Sequence, residues 1–183
     1  MKKLLFILII FFIFLFSAAT SFAQETSKEN TSVSTPSSVK TIDYALPYPG
    51  LLPDSPLYVL KAIRDRIVEI LISDPIKKAN FYLLAADKRL NEGVSLFNKG
   101  EKKYALGETA ISKGENYFEK GIAQIERAKK QGIATADTSQ RFHLASLKHR
   151  ETIKSLINKS RGDIKQRLLL DEKRMEEFEK RLK

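Results

Sequence analysis

The chain has 183 residues, 43% of them hydrophobic and 30% charged, with 32 basic against 22 acidic side chains and a formal net charge of +10. It contains no cysteine, no tryptophan and only two histidines, which excludes a disulfide scaffold, a thiolate zinc site and a cysteine nucleophile. The length is that of about one domain, and the composition is that of an amphipathic helical protein rather than a membrane bundle or a wholly disordered chain.

The first segment joins Lys2 and Lys3 to an unbroken apolar run from Leu4 to Phe16, followed by the small and polar residues Ser17 to Ala23. A basic start, a 13-residue apolar stretch and small residues at Ser21 and Ala23 are the three parts of a secretory signal peptide cleaved after Ala23. The alternative is an uncleaved anchor, since Leu4 to Ala23 is 20 residues, enough to span a bilayer. Either reading places the remainder beyond the cytoplasmic membrane: periplasmic, extracellular or anchored on its outer side. Without residues 1–23 the charge is 30 basic against 22 acidic. Residues 24–40 carry eight serines and threonines and no aromatic, too little apolar surface to offset chain entropy, so a flexible tether is expected.

From Thr41 the punctuation is strong. Tyr44 to Pro53 holds three prolines and one glycine in ten residues and is expected to run extended as a strap laid over helices. Asp54-Ser55-Pro56 offers an N-cap and a proline at the first helical position, opening a first helix with Leu60, Ile63, Ile67 and Leu71 on one face. Ser73-Asp74-Pro75 repeats that signal for a second helix, which Gly100 ends. A third helix runs from about Glu101 to Gln131 and stops at Gly132, and Asp137 or Thr138 caps a fourth. Ser160-Arg161-Gly162-Asp163 fits a capping box that would break or kink the fourth helix and start a fifth, reaching about Leu182.

The second helix carries a seam of Ile76, Ala79, Leu83, Ala86, Leu90, Gly93 and Phe97, spaced three and four, with large and small residues alternating. The third carries Tyr104, Gly107, Ile111, Gly114, Phe118, Gly121, Ile125 and Ala128 in the same alternation. Each mid-helix glycine costs roughly 1 kcal/mol against alanine. Gly107, Gly114 and Gly121, together with Ala79, Ala86 and Gly93, are therefore read as packing residues that admit close approach of an antiparallel partner helix. Phosphate-cradling glycines stand one to five residues apart between a strand and a helix, which this spacing does not match.

Tyr48-Pro49-Gly50-Leu51-Leu52-Pro53-Asp54-Ser55-Pro56-Leu57-Tyr58, with Asp74-Pro75-Ile76-Lys77-Lys78-Ala79, Ala86-Asp87-Lys88-Arg89-Leu90 and Ser112-Lys113-Gly114-Glu115-Asn116-Tyr117, resembles the bacterial exported family catalogued as domain of unknown function 5667. The resemblance covers about Tyr44 to Gln131 and extends more weakly through His149, Ile153, Leu156 and Ile157. It implies an N-terminal export or anchor segment and a helical extracytoplasmic module, and it brings no activity, cofactor or catalytic residue.

Chemistry-bearing patterns are sparse. His143 and His149 stand six residues apart, about 120° around a helix, and cannot share one ion from one face; His149 falls beside Phe142, Ile153 and Leu156 and is read as a core or interfacial histidine. No nucleophile elbow is present, and the carboxylates near the C-terminus sit among Lys173, Arg174, Lys180 and Arg181 as a solvated helix face. Residues 141–167 carry eight basic and two acidic side chains. Arg150, Lys154, Arg161 and Lys165 would form one stripe if the fourth helix continued unbroken, a candidate for anionic lipid or cell-wall polymer.

The expectation is an all-α protein, an antiparallel bundle of four to five helices preceded by a proline-rich extended strap. It divides into a leader at 1–23, a tether at 24–40, the family-like helical domain at 41–135 and basic amphipathic helices at 136–183. The expected role is a non-enzymatic binding or sensory module of the bacterial envelope, without cofactor, metal or nucleic acid, contacting an envelope protein. The alternative is a structural envelope protein held to anionic lipid or polymer by its basic helix.

Overall fold

The computed structural model describes residues 42–182; the expected leader and tether lie outside the described residues. Among the described residues five α-helices follow one another: α1 Tyr58–Leu71, α2 Pro75–Phe97, α3 Tyr104–Lys130, α4 Ala136–Lys159 and α5 Gly162–Arg181. No strand occurs among the described residues. The fold is all-α, as the periodicity predicts.

The local signals succeed where the side chain has no better partner. Asp74 Oδ1 accepts the Lys77 backbone amide at 2.7 Å, with Pro75 as the first helical residue of α2. Gly100 and Gly132, with φ of 102° and 71°, end the turns after α2 and α3 in a region that disfavours side chains. A single 3₁₀ turn, Glu101–Lys103, precedes α3 where the α-helix itself was expected to begin.

Two expected caps are not made. Asp54 does not cap α1; its carboxylate accepts from Lys99 at 2.9 Å and lies 3.4 Å from Lys103, both at the α2–α3 turn, and the helix starts only at Tyr58. Ser160 does not cap α5. Its hydroxyl turns back to donate to the Leu156 carbonyl at 2.8 Å, closing α4, while Asp163 pairs with Arg167 at 3.0 Å. In each case a nearby carbonyl or cation outcompetes the amides of the coming helix.

α2 and α3 form a tight antiparallel hairpin, against which α4 and α5 pack. Arg141–Asn80 and His149–Asp87 set α4 parallel to α2. Arg167–Glu108, Arg174–Glu119 and Arg181–Glu126 set α5 parallel to α3. One apolar core runs through all four, from Ala79, Leu83 and Leu90 through Ile111 and Phe118 to Phe142, Ile153, Leu168 and Met175. Phe118 lies at its centre, 5.1 Å from the Phe142 ring and 5.7 Å from Phe178. The 135/136 division therefore falls at the α3–α4 turn, within a continuous core.

The segment from Ile42 to Pro53 has no helix or strand. Tyr44 and Leu46 pack against the core, the Tyr44 hydroxyl donates to Asp87 at 2.6 Å, and Asn91 donates to the Pro47 carbonyl at 2.9 Å.

Candidate interaction surface

The seam glycines lie where the helices come closest. A Cβ on Gly93 would stand 2.5 Å from Ile111 Cγ1 and 2.9 Å from the Gly107 carbonyl oxygen; one on Gly107 would stand 2.7 Å from the Phe97 ring and 3.1 Å from the Gly93 oxygen. Gly114 is similarly close to Arg89 Cβ and the Ala86 oxygen, at 3.0 and 3.1 Å. Small residues thus face small residues across the hairpin, with Ile111 and Phe97 filling the spaces beside them. Gly121 differs from expectation: the group that would meet its Cβ first is the Phe142 ring of α4, rather than α2. These residues are structural, buried and closed to ligands, as are Ala79 and Ala86.

The enclosed polar groups hold the bundle together. His149 is 1% exposed, and its Nε2 lies 2.8 Å from Asp87 Oδ1. The other Asp87 oxygen takes the Tyr44 hydroxyl, so one carboxylate ties α2 to α4 and to the N-terminal segment. Burial and the adjacent Asp87 push the Tyr44 phenol well up from its ordinary range. His143 lies outside this contact. Between α3 and α5, Glu108, Glu115 and Asp171 are buried together with Arg167 and Arg174 at their edge. Burial, reinforced by Asp171 and only partly offset by Arg174, pushes Glu115 up to about 9; burial and Glu108 push Asp171 up to about 7. Glu115 therefore holds a proton at neutral pH, a neutral acid among like charges. No cluster of three or more histidine, aspartate or glutamate side chains suited to a metal occurs among the described residues.

The basic stripe does not form. The fourth helix ends at Lys159, so Arg161 and Lys165 lie beyond the break, on the lead-in and first turn of α5. Arg150 turns to α5, pairing with Glu172 at 2.8 Å and with Glu179 at 2.5 Å, and Lys154 lies 3.4 Å from Glu172. Inter-helix carboxylates, all downstream of the basic region in sequence, neutralise half the stripe.

The exposed feature lies on α1. Leu60, Ile63, Ile67 and Leu71 share a face, as their spacing predicts, and that face looks outward: they are 64, 53, 54 and 74% exposed. Val59 and Ile70 widen it to an arc of about 120°. The opposite face is polar and points at the bundle. Lys61 donates to the Pro49 carbonyl at 2.7 Å and pairs with the fully buried Glu92, which also contacts the Tyr58 hydroxyl at 3.1 Å and Arg89 at 3.2 Å. Glu69 accepts from Tyr82 at 2.8 Å and lies 3.3 Å from Lys120. Burial raises its carboxyl, but Tyr82, Arg66 and Lys120 prevail and hold it below the ordinary value. The helix is thus amphipathic with its polar side inward, the reverse of a core-packed helix. Tyr48, Leu51, Leu60 and Arg64 line an open groove beside it, with Tyr48 83% exposed.

Sequence spacing found this face but not its direction. Glu69 and Glu92, the two carboxylates that turn it outward, read in sequence as ordinary surface charges; their burial depends on tertiary partners up to 51 residues away.

These features define an all-α protein: a four-helix bundle with an additional amphipathic helix secured through polar contacts. The chain belongs to the family described as domain of unknown function (DUF5667), whose model matches residues 50–163. The match takes in α1 to α4 and reaches past the break after α4 into the start of α5. No curated protein and no solved structure matches the chain.

Proposed function

We propose that the protein is a non-enzymatic interaction module of the bacterial cell envelope, exported by its N-terminal segment, that works by presenting the outer face of α1 to an envelope component. The observation that carries this reading is the contiguous row of exposed aliphatic side chains on α1. Soluble proteins seldom leave such a patch in water unless something covers it, and here a polar underside holds it outward. The leader-like Met1 to Ala23 supports export. Engagement of His149 by Asp87, and enclosure of Glu108, Glu115 and Asp171 between helices, favour structural roles for the groups that could otherwise serve catalysis.

Because the sequence has no cysteine, Ile67→Cys supplies a unique thiol on this face, and Gln131→Cys supplies one at the exposed α3–α4 turn. Maleimide labelling is measured on the full chain in native envelopes and on the purified protein. The reading predicts that the thiol of Ile67→Cys reacts on the order of tenfold more slowly in the envelope, as a side chain sequestered in a contact does, while that of Gln131→Cys reacts at one rate in both. Equal rates for Ile67→Cys in the two preparations would refute α1 as the contact surface.

A further inference from the structure

We infer that the component covering α1 is an anionic lipid surface, on which the helix lies flat with its aliphatic face in the headgroup and acyl boundary; this rests on the reading of α1 as the contact surface. The charges around the helix favour that occupant. Of the two acidic residues of α1, Glu69 is buried against the bundle, while Asp65 is partly exposed beside Arg64. Both arginines, Arg64 and Arg66, lie on the flanks of the apolar arc with side chains 63 and 66% exposed; Arg64 pairs with Asp65 at 2.7 Å and Arg66 with Glu69 at 2.8 Å, pairs whose guanidinium is exposed and which are weak enough to be exchanged for a phosphate. An aliphatic face rimmed by guanidinium groups, which can reach phosphates while their stems stay apolar, is the pattern of an interfacial helix. Tyr48, beside Leu60 in the groove next to α1, adds an aromatic ring with a polar tip at the same edge.

Chemistry counts against other occupants. The arc itself holds only valine, leucine and isoleucine, without the aromatic or hydrogen-bonding anchors that dominate protein interfaces. The chain also carries its own route to a bilayer. The apolar run Leu4 to Phe16 lies in the same chain as α1 and, where it is kept, offers that chain a bilayer anchor.

The absence of tryptophan makes the test specific. Ile67→Trp and, independently, Ile70→Trp place one fluorophore on the exposed face, and Gln131→Trp is the comparison. Each full chain is mixed with vesicles of phosphatidylcholine alone or with an equal part of phosphatidylglycerol, with and without bromine on the acyl chains. The inference predicts a blue shift and on the order of twofold quenching for Ile67→Trp and Ile70→Trp in the anionic vesicles, with none for Gln131→Trp. Arg64→Gln and Arg66→Gln should each weaken this by about threefold to fivefold, and the effect of each charge should shrink at high salt. Three results overturn it: no quenching at either position; a blue shift without vesicles that grows with protein concentration, which identifies a second copy; or one that is independent of concentration and disappears when Leu4 to Phe16 is deleted, which identifies the chain's own leader. Protection of the Ile67→Cys thiol in native envelopes alongside any of these would leave α1 as the contact surface and assign it a different partner.

Discussion

Adding one methyl group at Gly93 tests how closely α2 and α3 approach. In a helix interior the change to alanine is intrinsically favourable by about 1 kcal/mol. Against it, the new Cβ would stand 2.5 Å from Ile111 Cγ1 and 2.9 Å from the Gly107 carbonyl oxygen. Ile111 is 2% exposed and has no room to turn away, and a backbone oxygen on the facing helix moves only if the helices part. Overpacking of this kind costs about 1–3 kcal/mol, and with an immovable neighbour the upper end applies, leaving a net loss of about 2 kcal/mol. In a domain of this size that lowers Tm by about 4–8 °C. Gly114→Ala is the internal comparison: its nearest neighbours, Arg89 Cβ and the Ala86 oxygen, lie at 3.0 and 3.1 Å, so a shift of a few tenths of an ångström lets propensity and clash cancel within about 1 kcal/mol. Thermal melts of both variants beside the parent decide the matter. If Gly93→Ala melts at or above the parent, the close approach is wrong.

Other parts of the structure make separate predictions. Glu115 keeps its proton in the folded state up to about pH 9 and loses it near 4.5 when unfolded. The folded state thus binds the extra proton between those values, and its contribution to stability is complete below pH 4.5 and falls away as pH rises to 9. Glu115→Gln should therefore raise the melting temperature more at pH 8 than at pH 5, by an amount on the order of 4 kcal/mol in stability; an equal effect at both pH values would contradict the protonated assignment. Asp87→Ala leaves His149 and the Tyr44 hydroxyl without their shared partner and should cost about 1–3 kcal/mol, whereas Tyr44→Phe should cost about 1 kcal/mol and speed proteolysis at residues 42–49; an unchanged cleavage rate would show that the hydroxyl does not hold this segment. Arg150→Ala removes the bridge to Glu172 and Glu179 and should lower stability by about 1–2 kcal/mol, with a smaller loss in high salt because the guanidinium is partly exposed; a melt unaffected at low salt would mean these ion pairs contribute nothing.

Much of the bundle was legible because its signals are short-range or periodic. The seam of α2 and α3 follows from three-and-four spacing, and Asp74-Pro75, Gly100 and Gly132 mark their boundaries by local stereochemistry. The fold class follows from those alone. The errors arose where a side chain had to choose among partners distant in sequence. Asp54 joins Lys99 and Lys103 instead of capping α1, and Ser160 closes α4 instead of opening α5. Arg150, read as part of a basic stripe, meets carboxylates of α5 that approach only when that helix folds back. Gly121 receives Phe142 of α4, which seam spacing in α2 and α3 could not disclose. The direction of α1 was hidden for the same reason: its apolar periodicity is that of a core helix, and only the buried partners of Lys61 and Glu69 turn it to solvent.

That outward face is tested most directly by the double substitution Ile63→Glu with Ile67→Glu, read by thermal melting and, with Ile70→Cys added as a probe, by maleimide labelling of the full chain in native envelopes. A core position so altered would lose several kcal/mol. Because both side chains are more than half exposed, the account predicts a Tm within about 2 °C of the parent, together with loss of protection for the thiol of Ile70→Cys on the same face. A substantially lower Tm, or an Ile70→Cys thiol as protected beside the two glutamates as without them, would contradict the claim that α1 is held outward to make contact.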